Sequence, residues 1–92
     1  MPRYATRPGV ELTSICGEYY LVSARAALAY CPYITQINAS SAYLWRKLAD
    51  GADEETLIAD VENDFEVLDR GEAEEAIRGF IGQMLEMNYL IE

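Results

Sequence analysis

From Gly9 to Ile15, Val10 and Leu12 alternate with Glu11 and Thr13, the two-residue period of a half-buried strand. Cys16-Gly17-Glu18 supplies a turn, and Tyr19-Tyr20-Leu21-Val22 resumes the apolar run, so the two segments read as a β-hairpin. Ser23 to Tyr30 is rich in alanine and reads as a short helical or looped insertion. Pro32 closes it, because proline cannot donate to a continuing ladder. A third strand is predicted over Tyr33-Ile34-Thr35-Gln36-Ile37.

The period then changes from strand to helix. Asn38 occupies an N-cap position, Ile37 and Ala42 form a weak hydrophobic staple, and Leu44, Trp45 and Leu48 make one apolar face. Asp50-Gly51 ends this helix, glycine being the usual left-handed stop. Asp53 caps a second helix whose dipole Glu54 and Glu55 complement. Leu57, Ile58, Val61 and Phe65 form its apolar side against Glu55, Asp60 and Glu62. Asp69 opens a third, longer helix carrying Ala73, Ala76, Ile77, Phe80, Ile81, Met84, Leu85 and Met87. Asn88 ends it, and Tyr89-Leu90-Ile91 folds back on the core.

The apolar arc of the third helix covers roughly half its circumference, wider than the stripe of about 100° that facing one core requires. Ile81 and Leu85 lie at one border beside Glu74 and Arg78, where they can touch something other than the first two helices. Deep burial in a small domain accounts for the same arc equally well. Three strands followed by three helices predict an α+β fold, with the helices over one face of a three-stranded antiparallel sheet. The third strand carries no charged side chain, which leaves it a poorly defended edge and a template for pairing with another chain.

At 92 residues the chain is read as one domain over residues 1–92, with 1–8 a flexible lead-in. Its 51% apolar and 25% charged content is ordinary globular usage and excludes a disordered or fibrous chain. No window is long and apolar enough to cross a membrane and no signal-peptide core stands at the start, so the cytoplasm is the expected compartment.

Charge is divided unevenly. Residues 1–50 hold five basic and three acidic side chains, residues 51–92 two basic and thirteen acidic. Such a second half repels phosphate backbones and anionic membranes, which argues against nucleic acid and membrane partners and leaves basic peptides or proteins. A winged-helix DNA reader would carry a basic footprint where this chain carries Glu54, Glu55, Asp60, Glu62, Glu72, Glu74 and Glu75.

The chain has no histidine, hence no Ser/His/Asp or Cys/His arrangement, and it has no Walker-type phosphate loop. Cys16 and Cys31 cannot complete a four-ligand zinc site by themselves and are read as reduced, partly buried residues. No catalytic residue, metal or cofactor is predicted.

Arg7-Pro8-Gly9-Val10, Gly17-Glu18-Tyr19-Tyr20-Leu21-Val22, Ile37-Asn38-Ala39 leading into Leu44-Trp45, Gly51 before the next helix and the terminal Leu90-Ile91 together resemble the PqqD-like family. Its founding member serves pyrroloquinoline quinone synthesis. Order and spacing carry the resemblance over about residues 7–91; no single motif does. It implies a winged helix-turn-helix-like fold acting as a recognition element for ribosomally made, post-translationally modified peptides. In that family the leader segment of the precursor binds as an added strand beside the third strand and against the third helix. The partner is a modifying enzyme, often a radical S-adenosylmethionine protein.

Two features depart from the family pattern: Ser23 to Pro32 is longer than the tight connection expected there, and Ala39 stands where an acidic residue is usual. Carried onto this chain, the resemblance implies a peptide site of Tyr33, Ile34, Thr35, Gln36 and Ile37 with Ile77, Arg78, Ile81 and Leu85. If Ile37 faces the core, Tyr33 and Thr35 share its face while Ile34 and Gln36 point the other way. The same open edge can pair with a second copy of the chain, so a homodimerisation or enzyme-docking module remains the alternative.

Overall fold

The computed structural model describes residues 2–65 and 69–92. Strands β1 (Arg3–Thr6), β2 (Val10–Ile15) and β3 (Glu18–Ser23) come first, then a short 3-10 helix over Arg25–Ala29 and strand β4 (Thr35–Ile37). Helix α1 (Ala39–Leu48), strand β5 (Ala52–Asp53), helices α2 (Glu54–Asp64) and α3 (Arg70–Glu86) and strand β6 (Leu90–Ile91) complete the chain. The result is α+β, with the strands in two antiparallel sheets, β2-β3-β4 and β5-β1-β6.

The hairpin forms where the alternation predicts it. Ile15 pairs with Glu18 across a two-residue loop in which Cys16 (φ 52°) and Gly17 (φ 80°) are both left-handed, the backbone that matches the twist of the flanking strands. Cys16 is therefore exposed at the turn, unlike the partly buried residue expected; Cys31 is buried, its thiol 3.2 Å from the Ser23 hydroxyl and 3.4 Å from the Ala27 carbonyl.

Directly opposed residues share a sheet face, so Leu12, Leu21 and Thr35 form one row and Tyr19 with Ile37 the next, all toward the helices. Gln36 and Tyr20 oppose each other on the outer face. The insertion becomes the 3-10 helix, with Ala27 buried, and returns the chain beside β3.

Residues 3–6, expected within a flexible lead-in, are ordered into a strand. Arg3–Thr6 is held between β5 and β6, pairing Tyr4 with Ala52 and Thr6 with Leu90. Each partner strand is two residues long, too short to show a period in the sequence. The fold thus has this second small sheet in addition to the single one expected, and winged helix-turn-helix describes it only loosely.

Helix boundaries follow their caps. Asn38 accepts from the Ser41 N–H at 2.8 Å, Asp53 from the Thr56 N–H at 2.8 Å and Asp69 from the Gly71 N–H at 2.8 Å. Phe65, expected on the apolar side of α2, is instead its exposed C-cap and stands edge-on to Tyr43 at 4.8 Å.

Helix α3 ends in a Schellman arrangement. Asn88 turns left-handed (φ 66°), its N–H donating to Leu85 O while the Tyr89 N–H donates to Met84 O at 2.9 Å. That reversal drives Tyr89 into the core among Leu21, Leu48, Leu57 and Ile58, all fully buried. The Tyr89 ring meets Trp45 edge-on at 6.2 Å and Tyr33 at 5.7 Å, and its hydroxyl lies 2.6 Å from the Thr35 hydroxyl. Burial raises the Tyr89 pKa, with the Thr35 hydrogen bond acting in the opposite direction.

Tyr89→Phe is expected to cost about 1 kcal/mol or somewhat more in urea unfolding, since it strips the Thr35 hydroxyl of its partner without opening a cavity. Asn38→Ala removes the α1 cap and is expected to cost about 1 kcal/mol by the same measurement.

Candidate functional site

Strand β4 is the edge of its sheet: β3 covers one side, and no strand pairs with the other among the described residues. Its N–H and C=O groups on that side are a template for another chain. The edge stays open because the chain passes from Ile37 through the Asn38 cap directly into α1, with no room for a further strand.

The side chains alternate as the register requires. Ile37 is buried, Thr35 reaches inward to Tyr89, and Tyr33 lies against the same ring, whereas Ile34 is 69% exposed and Gln36 donates outward to Glu18 at 2.7 Å. Of these five predicted residues only Thr35, Gln36 and Ile37 form the strand, shorter than expected; Tyr33 and Ile34 precede it, the Tyr33 ring being turned onto Tyr89.

The helix residues predicted for the site do not join it as a set. Ile77 and Ile81 are 2% and 4% exposed and belong to the core. Arg78 is ion-paired with Glu54 at the start of α2 and lies 3.9 Å from Glu74. Both carboxylates raise the Arg78 pKa, the Glu54 hydrogen bond most. Leu85 is half-buried against the core on the same side of the helix as Arg78.

At about 100° per residue, Arg78 and Leu85 sit roughly 100° and 80° round α3 from Ile77, while Phe80 and Met87 sit roughly 60° and 80° round on the opposite side. The second border faces the other helices: Ala73 and Ala76, with Ile77, line a cavity of about 210 Å³ with Ser40, Tyr43 and Leu44 of α1 and with Val61 and Phe65. Of the two borders of α3, the one read from the sequence carries Arg78, whose partner Glu54 lies 24 residues away on α2, a pairing that helix periodicity does not register.

Thr35 and Ile37 turn inward beneath the open edge, and on α3 Phe80 is buried while Ala76, Gly79 and Gln83 are exposed. The surroundings are acidic. Both arginines of α3 are committed, Arg70 to Glu55, Glu62 and Glu74 and Arg78 to Glu54 and Glu74, leaving Glu72, Glu75 and Glu86 outside any ion pair among the described residues. Tyr43, beside the cavity, has its pKa raised by burial and by the Asp64 carboxylate to which it donates. No group of three or more metal-ligating side chains occurs among the described residues, and no described helix is long and apolar enough to cross a membrane.

The family model for coenzyme PQQ synthesis protein D (PqqD) matches residues 32–90, which span β4, all three helices and the start of β6. A lasso peptide synthetase B1 complexed with the leader peptide has the same fold: 19% identity, TM-score 0.73, with 97% of this chain and 98% of that chain covered. TbiB1 in complex with the TbiA(beta) leader peptide is similar at 19% identity and TM-score 0.73, covering 94% of this chain and 93% of that one. No curated protein matches the sequence.

Gly82 lies in mid-helix on the exposed side of α3, where an added Cβ meets no other atom. Gly82→Ala is expected to stabilise the domain by about 1 kcal/mol in urea unfolding, the difference in helix propensity between the two residues.

Proposed function

We propose that this chain, which belongs to the PqqD family, captures the leader segment of a ribosomally made precursor peptide as an added strand on β4 and presents it to a modifying enzyme. The observation that carries the proposal is the open, uncharged edge of Thr35–Ile37. The two fold relatives, each in complex with a leader peptide, support it.

Strand addition draws affinity from main-chain hydrogen bonds and specificity from side chains at alternate positions. It requires no catalytic group, and we assign the chain a binding role. On this proposal the leader contacts Tyr33 to Ile37 and the Ala76, Phe80 and Gln83 border of α3. Arg78, Ile81 and Leu85, on the opposite border, support the fold. Two leader side chains buried at about 1.5–3 kcal/mol each, with ladder hydrogen bonds at about 1 kcal/mol net, suffice for micromolar binding after ordering costs. The acidic surroundings favour a leader with basic residues flanking its strand.

Leu28 and Ile34, both exposed, share a depression with Pro32 and Val22 next to β4. This apolar surface on the insertion is the part of the domain we assign to the modifying enzyme, of which a radical S-adenosylmethionine protein is the favoured type.

An amide NMR titration with leader peptides of precursors encoded beside the chain is expected to give saturable shifts confined to Tyr33 to Asn38 and the Ala76 to Met87 stretch. Shifts that instead depend on protein concentration, with no response to peptide, would assign the edge to a second copy of the chain. Ala76→Trp fills the groove and is expected to weaken peptide binding about tenfold or more, or about 1.4 kcal/mol, with helical content unchanged. Arg78→Ala is expected to leave the affinity unaltered. Ile81→Glu is unsuitable as a test, since a charge at this buried position disrupts the core.

A further inference from the structure

The groove is closed at one end and open at the other. At the C-terminal end of α3, the Tyr33 hydroxyl donates to Met87 O at 2.6 Å and Asn88 Nδ2 donates to Tyr30 O at 3.2 Å. The Tyr33 ring stands edge-on to the fully buried Tyr89, whose hydroxyl lies 3.4 Å from Tyr33 O. At the other end, Asn38 is occupied within α1 by the Ser41 N–H, and no hydrogen bond joins residues 36–40 to α3 among the described residues. Two residues past Asn38, Ser40 of α1 lines a cavity with Ala73 and Ala76 of α3.

Tyr33 belongs to the segment leading into the edge strand, and its hydroxyl reaches a carbonyl at the end of the facing helix. Its side chain therefore bridges the gap in which an added strand would lie. A peptide beside β4 cannot run past Tyr33 without lifting it off Met87 and Tyr89. The hydrogen bond alone is within reach of water; the contact with Tyr89, itself fixed by Thr35 and Trp45, is what makes the bridge stiff.

We propose that Tyr33 is the stop that sets the register of the bound leader: the added strand pairs along Thr35 to Ile37, extends freely toward Ser40 and ends at Tyr33. This rests on the leader-capture reading, and makes Tyr33 a specificity-determining residue in place of a simple lining contact. The stop is a property of the long Ser23 to Pro32 insertion, which delivers Tyr30 and Tyr33 to the end of α3.

Calorimetric titration of nested synthetic peptides, cut from the leader of the precursor encoded beside the chain and lengthened by a few residues at either end, tests the proposal. With the unaltered protein, lengthening at one end is expected to lower Kd about fivefold, the effect of one extra net ladder hydrogen bond, and lengthening at the other to change it less than about twofold. In Tyr33→Ala both extensions are expected to tighten binding. Tyr33→Phe, which keeps the ring on Tyr89, is expected to retain the one-ended response.

Equal gains from both ends in the unaltered protein, or a one-ended response that survives in a folded Tyr33→Ala, would overturn the stop while leaving leader capture intact. Absence of binding by every peptide to every variant would overturn leader capture and the stop with it. Without any peptide, Tyr33→Phe is expected to move the amide signals of Met87 and Asn88 and not those of Asn38 to Ser41; unmoved Met87 and Asn88 signals would refute the bridge itself.

Discussion

The buried phenol of Tyr89 is the constraint around which the domain is arranged. A fully buried hydroxyl needs a partner, and Thr35 provides one at 2.6 Å from the edge strand. The same residue receives the Arg7 N–H at its carbonyl, donates its own N–H to α3 and packs edge-on against Trp45 of α1. One residue therefore ties β4, α1, α3 and the N-terminal segment to a single point. The position of β4 relative to α3, and so the width of the groove, follows from that anchor. The edge itself has nothing but β3 to hold it from the other side.

Termini that would fray in isolation are fixed by the same geometry. The Schellman stop at Asn88 delivers Tyr89 to the core and, one residue later, Leu90 to β1, so the two ends of the chain close the second sheet together. Arg7 reinforces the junction by donating to Asn88 O at 2.6 Å and stacking over Tyr30 at 4.1 Å. The insertion, which departs from the family's tight connection, is held to this junction through Tyr30 and Tyr33. It is thereby integrated at the mouth of the groove.

Features that depend on local chemistry were legible in the sequence. Asn38, Asp53 and Asp69 cap the helices as read, because a capping side chain bonds an N–H two or three residues away and needs no tertiary context. The β2–β3 alternation and the opposite facing of Ile34 and Thr35 were legible for the same reason. What could not be read depends on pairing across the chain. Strand β1 is defined by two-residue partners about 50 and 85 positions away, a span no local pattern encodes. The ion pair of Arg78 with Glu54 was equally hidden, because the Glu54 carboxylate reads just as well as a complement to the α2 dipole.

A binding mode built on main-chain groups explains why so little of the site appears as motif. The edge of β4 offers the same N–H and C=O pattern whatever its side chains, provided none is charged and the strand stays uncovered. Two folds can then coincide at a TM-score of 0.73 with 19% of residues identical. Discrimination between peptides must come from what surrounds the edge: the acidic flank of α3, the small residues Ala76 and Gly79 of its wall, and the point at which the groove closes. Those features are set by packing around Tyr89 and by the insertion, whereas the edge they frame offers main-chain groups alone. On the proposed function, selectivity is carried by the frame and affinity by the backbone, and substitutions in the frame are expected to change which peptide is taken before they change whether any is taken.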